Sequence, residues 1–147
     1  MKALYTTSAT ATGKGRNGHV ETEDGTVSLD LKVPKSLGGP GGGPNPEMLF
    51  AAGYAACFLS ALKYAATIGL HKTDDASVTV AISLGPALKG GFALAASIDI
   101  LLPSLTIDQA TKLVKRAHKY CPYSNATRNN IDTKLTVNGV VLEIARG

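Results

Sequence analysis

Tryptophan is absent from this 147-residue chain, and cysteine occurs only twice. Two cysteines cannot build the dense disulfide framework of a small secreted domain. A chain of this length buries roughly 70% of its unfolded surface and folds without such staples. Aromatic residues are few, at 5%, and are not interleaved with basic ones. The net charge is a modest +4. Lysines and arginines are dispersed except on a short helix face over residues 112–119, which excludes a nucleic-acid footprint. Apolar runs fall short of the ~20 residues that a membrane span needs. The longest candidate, residues 48–62, is interrupted by Gly53 and Ser60 and ends at Lys63. The first residues lack the apolar core of a signal peptide. These absences lead to the expectation of one domain over residues 1–147, in the cytoplasm, with neither membrane nor nucleic acid as a partner. Cysteines there are free, reactive or buried rather than permanently bridged.

Several chemistry-bearing patterns are missing or lack their context. His19, His71 and His118 have no metal-ligand spacing to one another or to the cysteines, so no metal and no bound cofactor is expected. Gly13-Lys14-Gly15-Arg16-Asn17-Gly18 matches G-x-G-x-x-G. An alternating polar strand follows it, however, rather than a helix opening on phosphate. The segment reads as a hairpin loop whose one arginine is Arg16. The glycine-rich stretch over residues 37–44 lacks Gly-Lys-Ser/Thr and is no phosphate loop. Asn125-Ala126-Thr127 is a glycosylation sequon that is inert without secretion. No Ser/His/Asp arrangement is evident.

What is present is a long apolar helix. Asn45 is a good N-cap, Pro46 suits the first helical position and Glu47 suits the positive end of the dipole. The helix is expected to run to about Thr67, with Gly69 as its stop. It is apolar almost all round, so it should be buried in a core or between subunits. Ala51, Ala52, Gly53, Ala55 and Ala56 let another backbone come close. A chain this small cannot surround such a helix, so a twofold homodimer is expected. Strands are expected over 1–12, 19–25, 26–33, 76–84, 92–102, 131–137 and 140–144. Thr106-Ile107-Asp108-Gln109 is a capping box opening a second helix. That helix carries Ile107, Ala110, Val114, Ala117 and Cys121 on one stripe, with Lys112, Lys115, Arg116 and Lys119 toward water. Asn138-Gly139 is a turn signal. The fold class is α+β, a mostly antiparallel sheet wrapped on the long helix.

The two thiols, Cys57 and Cys121, both fall on inward faces. Cys57 is a small buried hydrophobe or a nucleophile. Reactivity requires a cation close by, because Cys57 lies three turns into its helix and gains little from the dipole. Arg16 is a permanently charged candidate. If the thiols are close, they make an attacking and a resolving pair.

Two long motifs carry a resemblance. They are Asn45-Pro46-Glu47-x-Leu49-Phe50-Ala51-Ala52-Gly53-Tyr54-x-Ala56-Cys57-Phe58 and Cys121-Pro122-Tyr123-Ser124-Asn125-Ala126-Thr127-Arg128. With Ala11-Thr12-Gly13-x-Gly15-Arg16-x-Gly18 and Leu37-Gly38-Gly39 in the right order, the chain resembles the OsmC/Ohr family over nearly its whole length. The Cys-Pro-Tyr-Ser-Asn-Ala form favours its organic hydroperoxide resistance branch. Met48, where the family often has Gln, is a departure remote from the thiols, as are the last ten residues, which run past the usual end. The resemblance implies an OsmC-like, intertwined homodimer that acts as a thiol peroxidase on organic hydroperoxides and is re-reduced by dihydrolipoyl groups of lipoylated proteins. Cys57 would be the peroxidatic thiol and Cys121 the resolving one. Arg16 and Glu47 would hold and activate the thiolate, while Phe50 and Tyr54 would line an apolar pocket. Glu47 and Cys57 stand ten residues apart on one helix, roughly 15 Å along its axis. Glu47 would therefore serve the Cys57 of the other subunit, in a site composite across the dimer.

Overall fold

Alternating segments of the sequence become strands, and the two capped apolar segments become helices. The computed structural model describes residues 1–143. Ile144, at the end of the expected strand over 140–144, lies outside the described residues. In chain order the elements are β1 (Ala9–Thr12), β2 (His19–Thr22), β3 (Ser28–Asp30), α1 (Pro46–Gly69), β4 (Ser77–Pro86), β5 (Phe92–Leu101), α2 (Ile107–Tyr120), α3 (Pro122–Thr127), β6 (Asp132–Val137) and β7 (Val140–Leu142). The class is α+β, as the element order implied. Two compact units form, Met1–Leu49 and Phe50–Gly147, and α1 runs through the boundary between them.

In the first unit, β1, β2 and β3 make an antiparallel sheet, with Thr12 opposite His19 and Val20 opposite Leu29. β1 begins at Ala9, where its pairing with Thr22 of β2 starts, rather than at the first residue. β3 is shorter than the alternation over 26–33 implies. Beyond Asp30 the backbone pairs with loops instead of a strand. Leu31 N–H donates to the Gly18 carbonyl, Lys32 N–H to the Pro44 carbonyl, and Val33 N–H to Asn17 Oδ1 at 2.9 Å. The G-x-G-x-x-G segment is a 3-10 turn over Gly15–Asn17 closing on β2, with no helix behind it. Its last glycine has a steric reason. A Cβ on Gly18 would sit 2.1 Å from the Thr12 carbonyl oxygen.

In the second unit the sheet order is β4-β5-β6-β7. β4 pairs with β5, and β6 with β7, antiparallel. β5 and β6 are parallel. A parallel pair cannot be closed by a tight turn and needs a crossover, which α2 and α3 provide. Asn138 and Gly139 both have positive φ, 46° and 81°. That is the two-residue hairpin turn their sequence implied. One apolar cluster joins Tyr54, Phe58, Leu62 and Ala65 of α1 to Ile98 and Ile100 of β5, Val114 and Ala117 of α2, and Leu135 and Val137 of β6. Each large side chain so buried contributes about 1.5–3 kcal/mol.

Two expectations are corrected here. α1, with 24 residues and a mean hydropathy of 1.4, is long and apolar enough to cross a membrane by length and composition. Its inward face nonetheless packs in the cluster just described. As expected of a helix that the chain is too small to surround, α1 is not covered all round. Tyr54, Phe58, Ala61, Leu62, Ala65 and Ala66 are buried, whereas Met48, Tyr64 and Ile68 are more than half exposed. On α2, Ala110, Val114, Ala117 and Cys121 are buried as the stripe implied, while Ile107 is exposed.

The loop geometry sets a test. Gly15→Ala meets no neighbour and incurs only the left-handed backbone cost, about 1 kcal/mol; Gly18→Ala forces a carbonyl aside and should cost about 2 kcal/mol or more. Urea unfolding of the two variants should rank them in that order.

Candidate active site

Cys57 lies mid-way along α1, half-buried against the core cluster. Cys121 owes its place to a helix break. α2 stops at Tyr120, and Cys121 takes an extended conformation, φ −64° and ψ 119°. Pro122 cannot donate to the α2 ladder, yet it suits the first position of a new helix, so α3 starts at once. Cys121 thus caps both helices. Its N–H donates to the Ala117 carbonyl, and its sulfur accepts the Ser124 N–H at 3.5 Å. The sulfur is thereby held 3.5 Å from Cys57 Sγ, across 64 positions of sequence. Both cysteines are free; Cys121 is fully buried.

Burial is the main influence on the Cys57 thiol and pushes its pKa up. The Tyr123 backbone N–H opposes this, and the adjoining Cys121 adds to the rise. The raised value favours the protonated thiol at neutral pH, so the second unit alone does not generate a thiolate.

Beside the sulfurs stands an aromatic trio. Phe50 meets Tyr54 edge-on at 6.0 Å between ring centroids and stacks on Tyr123 at 5.9 Å. Gly53 makes room for this, since a Cβ there would come within 2.9 Å of the Tyr123 hydroxyl. Tyr54 departs from its expected place in a pocket wall. It is 0% exposed, and its hydroxyl bonds to Ser124 Oγ at 3.0 Å and Thr127 Oγ1 at 3.2 Å. It is a buried strut between α1 and α3. Phe50 is half-buried. Reading the sequence missed Tyr123, Ser124 and Thr127 as contributors, because their contacts with Tyr54 and Cys121 arise only once α3 forms.

Arg16 and Glu47 come together within the first unit. Arg16 sits on the 3-10 turn that Gly18 permits, and Glu47 is in the first turn of α1, whose start is fixed by Asn45 Oδ1 accepting the Met48 N–H. Arg16 Nη1 donates to Glu47 Oε2 at 2.7 Å and Nη2 to Oε1 at 2.5 Å. This is the bidentate fork that a guanidinium makes with a carboxylate. Each strengthens the charge of the other: the guanidinium holds the Glu47 carboxyl below the usual carboxylate range, and Glu47 raises the Arg16 pKa further. Planar, permanently charged and pre-oriented, Arg16 is equipped to stabilise an anion.

The structure also assembles a Ser/His/Asp trio that the sequence did not disclose. Asp30 Oδ1 lies 2.8 Å from His19 Nδ1, and Ser28 Oγ lies 3.2 Å from His19 Nε2. Cross-strand pairing of His19 with Asp30 produces it. The Asp30 side chain is 82% exposed, so water screens the charge that would have to polarise the imidazole. The trio is a solvated face of the sheet.

Residues 39–136 match the family described as OsmC-like protein. An organic hydroperoxide resistance protein of Xanthomonas axonopodis pv. citri is 46% identical over 92% of this chain and 96% of its own length. Among solved structures, an organic hydroperoxide resistance protein of Elizabethkingia anophelis superposes with a TM-score of 0.89 at 49% identity, covering 93% of this chain and 98% of that one. The organic hydroperoxide resistance protein OhrB of Bacillus subtilis does so with a TM-score of 0.84 at 40% identity, covering 92% of this chain and 100% of that one. The chain belongs to the OsmC-like family. Within that family its place is the organic hydroperoxide resistance branch, which the two cysteine motifs indicated.

The ion pair carries a pH signature. Glu47 titrates below its unfolded value, so the stabilisation is complete above the ordinary carboxylate range and lost as pH falls through roughly 4 and below. Arg16 is 39% exposed on its side chain, which puts the pair in the range of screened surface pairs, about 0.5–1 kcal/mol. Urea unfolding at pH 7 should show Glu47→Gln less stable by that amount, and the difference should shrink as pH falls below the ordinary carboxylate range.

Proposed function

We propose that this chain is a thiol peroxidase that reduces organic hydroperoxides, alkyl or fatty-acid, to alcohols. The observation that carries the reading is the 3.5 Å approach of Cys57 Sγ to Cys121 Sγ with both thiols free. The family's peroxide resistance supplies the substrate class. An inert packing role would not require a second thiol against the first.

The roles follow from exposure. Cys121 is fully buried and Cys57 only partly, so Cys57 is the sulfur that meets substrate. The Cys57 thiolate attacks the distal peroxide oxygen. The O–O bond breaks, the alkoxide takes a proton and leaves as alcohol, and Cys57 becomes a sulfenic acid. The Cys121 thiol then displaces the hydroxyl, forming a Cys57–Cys121 disulfide and water. An external dithiol, a dihydrolipoyl group on a lipoylated protein, exchanges with that disulfide and restores both thiols. No bound cofactor takes part.

Because burial raises the Cys57 pKa, activation must come from a cation. Arg16 supplies it, oriented by Glu47, and stabilises both the thiolate and the charge developing on the peroxide oxygens. Ten residues of continuous helix, roughly 15 Å, separate Glu47 from Cys57 on α1. The Arg16–Glu47 pair therefore serves the Cys57 of a second subunit, and the active enzyme is a homodimer with composite sites. The exposed Met48, Tyr64 and Ile68 of α1 suit burial against that second copy. Phe50 provides apolar wall for the alkyl group, and the enzyme works in the cytoplasm.

The test is consumption of cumene hydroperoxide with dihydrolipoamide as reductant. Cys57→Ser should abolish turnover, and Cys121→Ser should allow one turnover and leave a trappable sulfenic acid. Arg16→Ala should slow Cys57 oxidation about 100-fold or more, with a raised thiol pKa in its pH profile. Unchanged turnover in Cys57→Ser would overturn the mechanism.

A further inference from the structure

The thiols are gripped by a short segment that is itself held from below. The backbone N–H of Ser124, in the first turn of α3, donates to the Cys121 sulfur at 3.5 Å, and the neighbouring Tyr123 backbone acts to lower the Cys57 thiol pKa. Three hydroxyls lie beneath that turn: Tyr54 at 0% exposure, Ser124 at 0% and Thr127 at 4%. Tyr54 Oη shares hydrogen bonds with Ser124 Oγ at 3.0 Å and Thr127 Oγ1 at 3.2 Å. Thr127 Oγ1 also lies within reach of the Tyr123 carbonyl at 2.9 Å and the Ser124 carbonyl at 3.3 Å, to either of which it can donate.

We infer that Tyr54 is a positioning residue for the resolving step: its buried hydroxyl, bonded to Ser124 and Thr127, sets the α3 turn so that Cys121 reaches an oxidised Cys57. The inference rests on the peroxidase reading above. Its physical basis is a distance. A disulfide is about 2.05 Å long, so the sulfurs must close by roughly 1.5 Å while one oxygen departs as water. The competing reaction needs no such motion. A second hydroperoxide converts the Cys57 sulfenic acid to sulfinic acid and alcohol, and that product is a dead end. Whatever keeps Cys121 aligned decides the partition between the two fates. Tyr54 packs its ring against both Phe50 and Tyr123 and hydrogen-bonds from α1 to Ser124 of α3. Besides the contact of the two sulfurs, its hydroxyl ties the Cys57 helix to α3.

Tyr54→Phe keeps the ring and deletes the oxygen. The experiment reacts the fully reduced chain with excess cumene hydroperoxide, quenches at intervals, and resolves thiol, sulfenic, disulfide and sulfinic Cys57 by mass spectrometry. In Tyr54→Phe the ratio of disulfide to sulfinic product should fall about tenfold, the scale of a lost buried hydrogen-bond network. The same fall is expected in Ser124→Ala, and the double variant should show no further fall, because both act through one network. Thr127→Val should lower the ratio and Thr127→Ser should retain it. A ratio within twofold of the parent in Tyr54→Phe or in Ser124→Ala, or additive losses in the double variant, would overturn the inference. A parent chain whose Cys57 is not oxidised at all would instead overturn the peroxidase reading, so the two failures are distinct. If Tyr54→Phe does not fold, the comparison of Ser124→Ala with Thr127→Ser and Thr127→Val decides the matter.

Discussion

The contact between Cys57 and Cys121 depends on a helix that stops where it does. Were α2 to continue, Cys121 would keep its place on the buried stripe, but its sulfur would lose the Ser124 N–H that the start of α3 brings to it. Pro122 forbids that continuation by withholding the N–H that the ladder needs, while its fixed φ starts α3 in a new direction. The sulfur at the corner is then both a capping acceptor and the neighbour of the Cys57 sulfur, at 3.5 Å. The apolar stripe of α2, the small residues of α1 and the buried hydroxyls below α3 are all arranged about that corner. The parallel pairing of β5 with β6 belongs to the same design, since the crossover it needs is the pair of helices that meet at Cys121.

Two electrostatic arrangements with opposite tendencies are built into the chain. Around Cys57, burial raises the thiol pKa and suppresses the nucleophile. On the first unit, a forked ion pair concentrates and orients a permanent positive charge. Either alone is chemically quiet: a protonated thiol is a weak nucleophile, and an arginine neutralised by glutamate is a common surface pair. In the proposed dimer the two are brought together, where the cation would favour a thiolate in an apolar setting. The ten-residue spacing along α1 is why a second copy of the chain is invoked to bring them together.

The helices and most strands were legible because their signals are local. The Asn45-Pro46-Glu47 start, the Thr106-Gln109 capping box and the Asn138-Gly139 turn each form as their chemistry dictates. Boundaries failed where partners were not strands. Residues 31–33 read as β but bond to loops. α3 was missed because Pro122 signals a helix end and a helix start alike. The roundness of α1 indicated more apolar surface than one chain can cover, and the chain does leave Met48, Tyr64 and Ile68 exposed. The cysteines and the Arg16–Glu47 pair were found through motif likeness, since helix position alone would have left Cys57 as packing. Tyr54 was placed in a pocket because the resemblance implies an organic substrate and hence an apolar wall. Its hydrogen bonds reach residues 70 and 73 positions away, and no sequence pattern displays partners at that range.

The central claim is that the two neighbouring sulfurs form a redox couple. The most direct measurement is peptide mapping of the fully reduced chain after one equivalent of an organic hydroperoxide. The account predicts loss of two hydrogens per chain, one equivalent of alcohol, and a peptide pair joined through Cys57 and Cys121. Two free thiols beside unreacted hydroperoxide, or oxygen gained at Cys57 while Cys121 stays free, would contradict it.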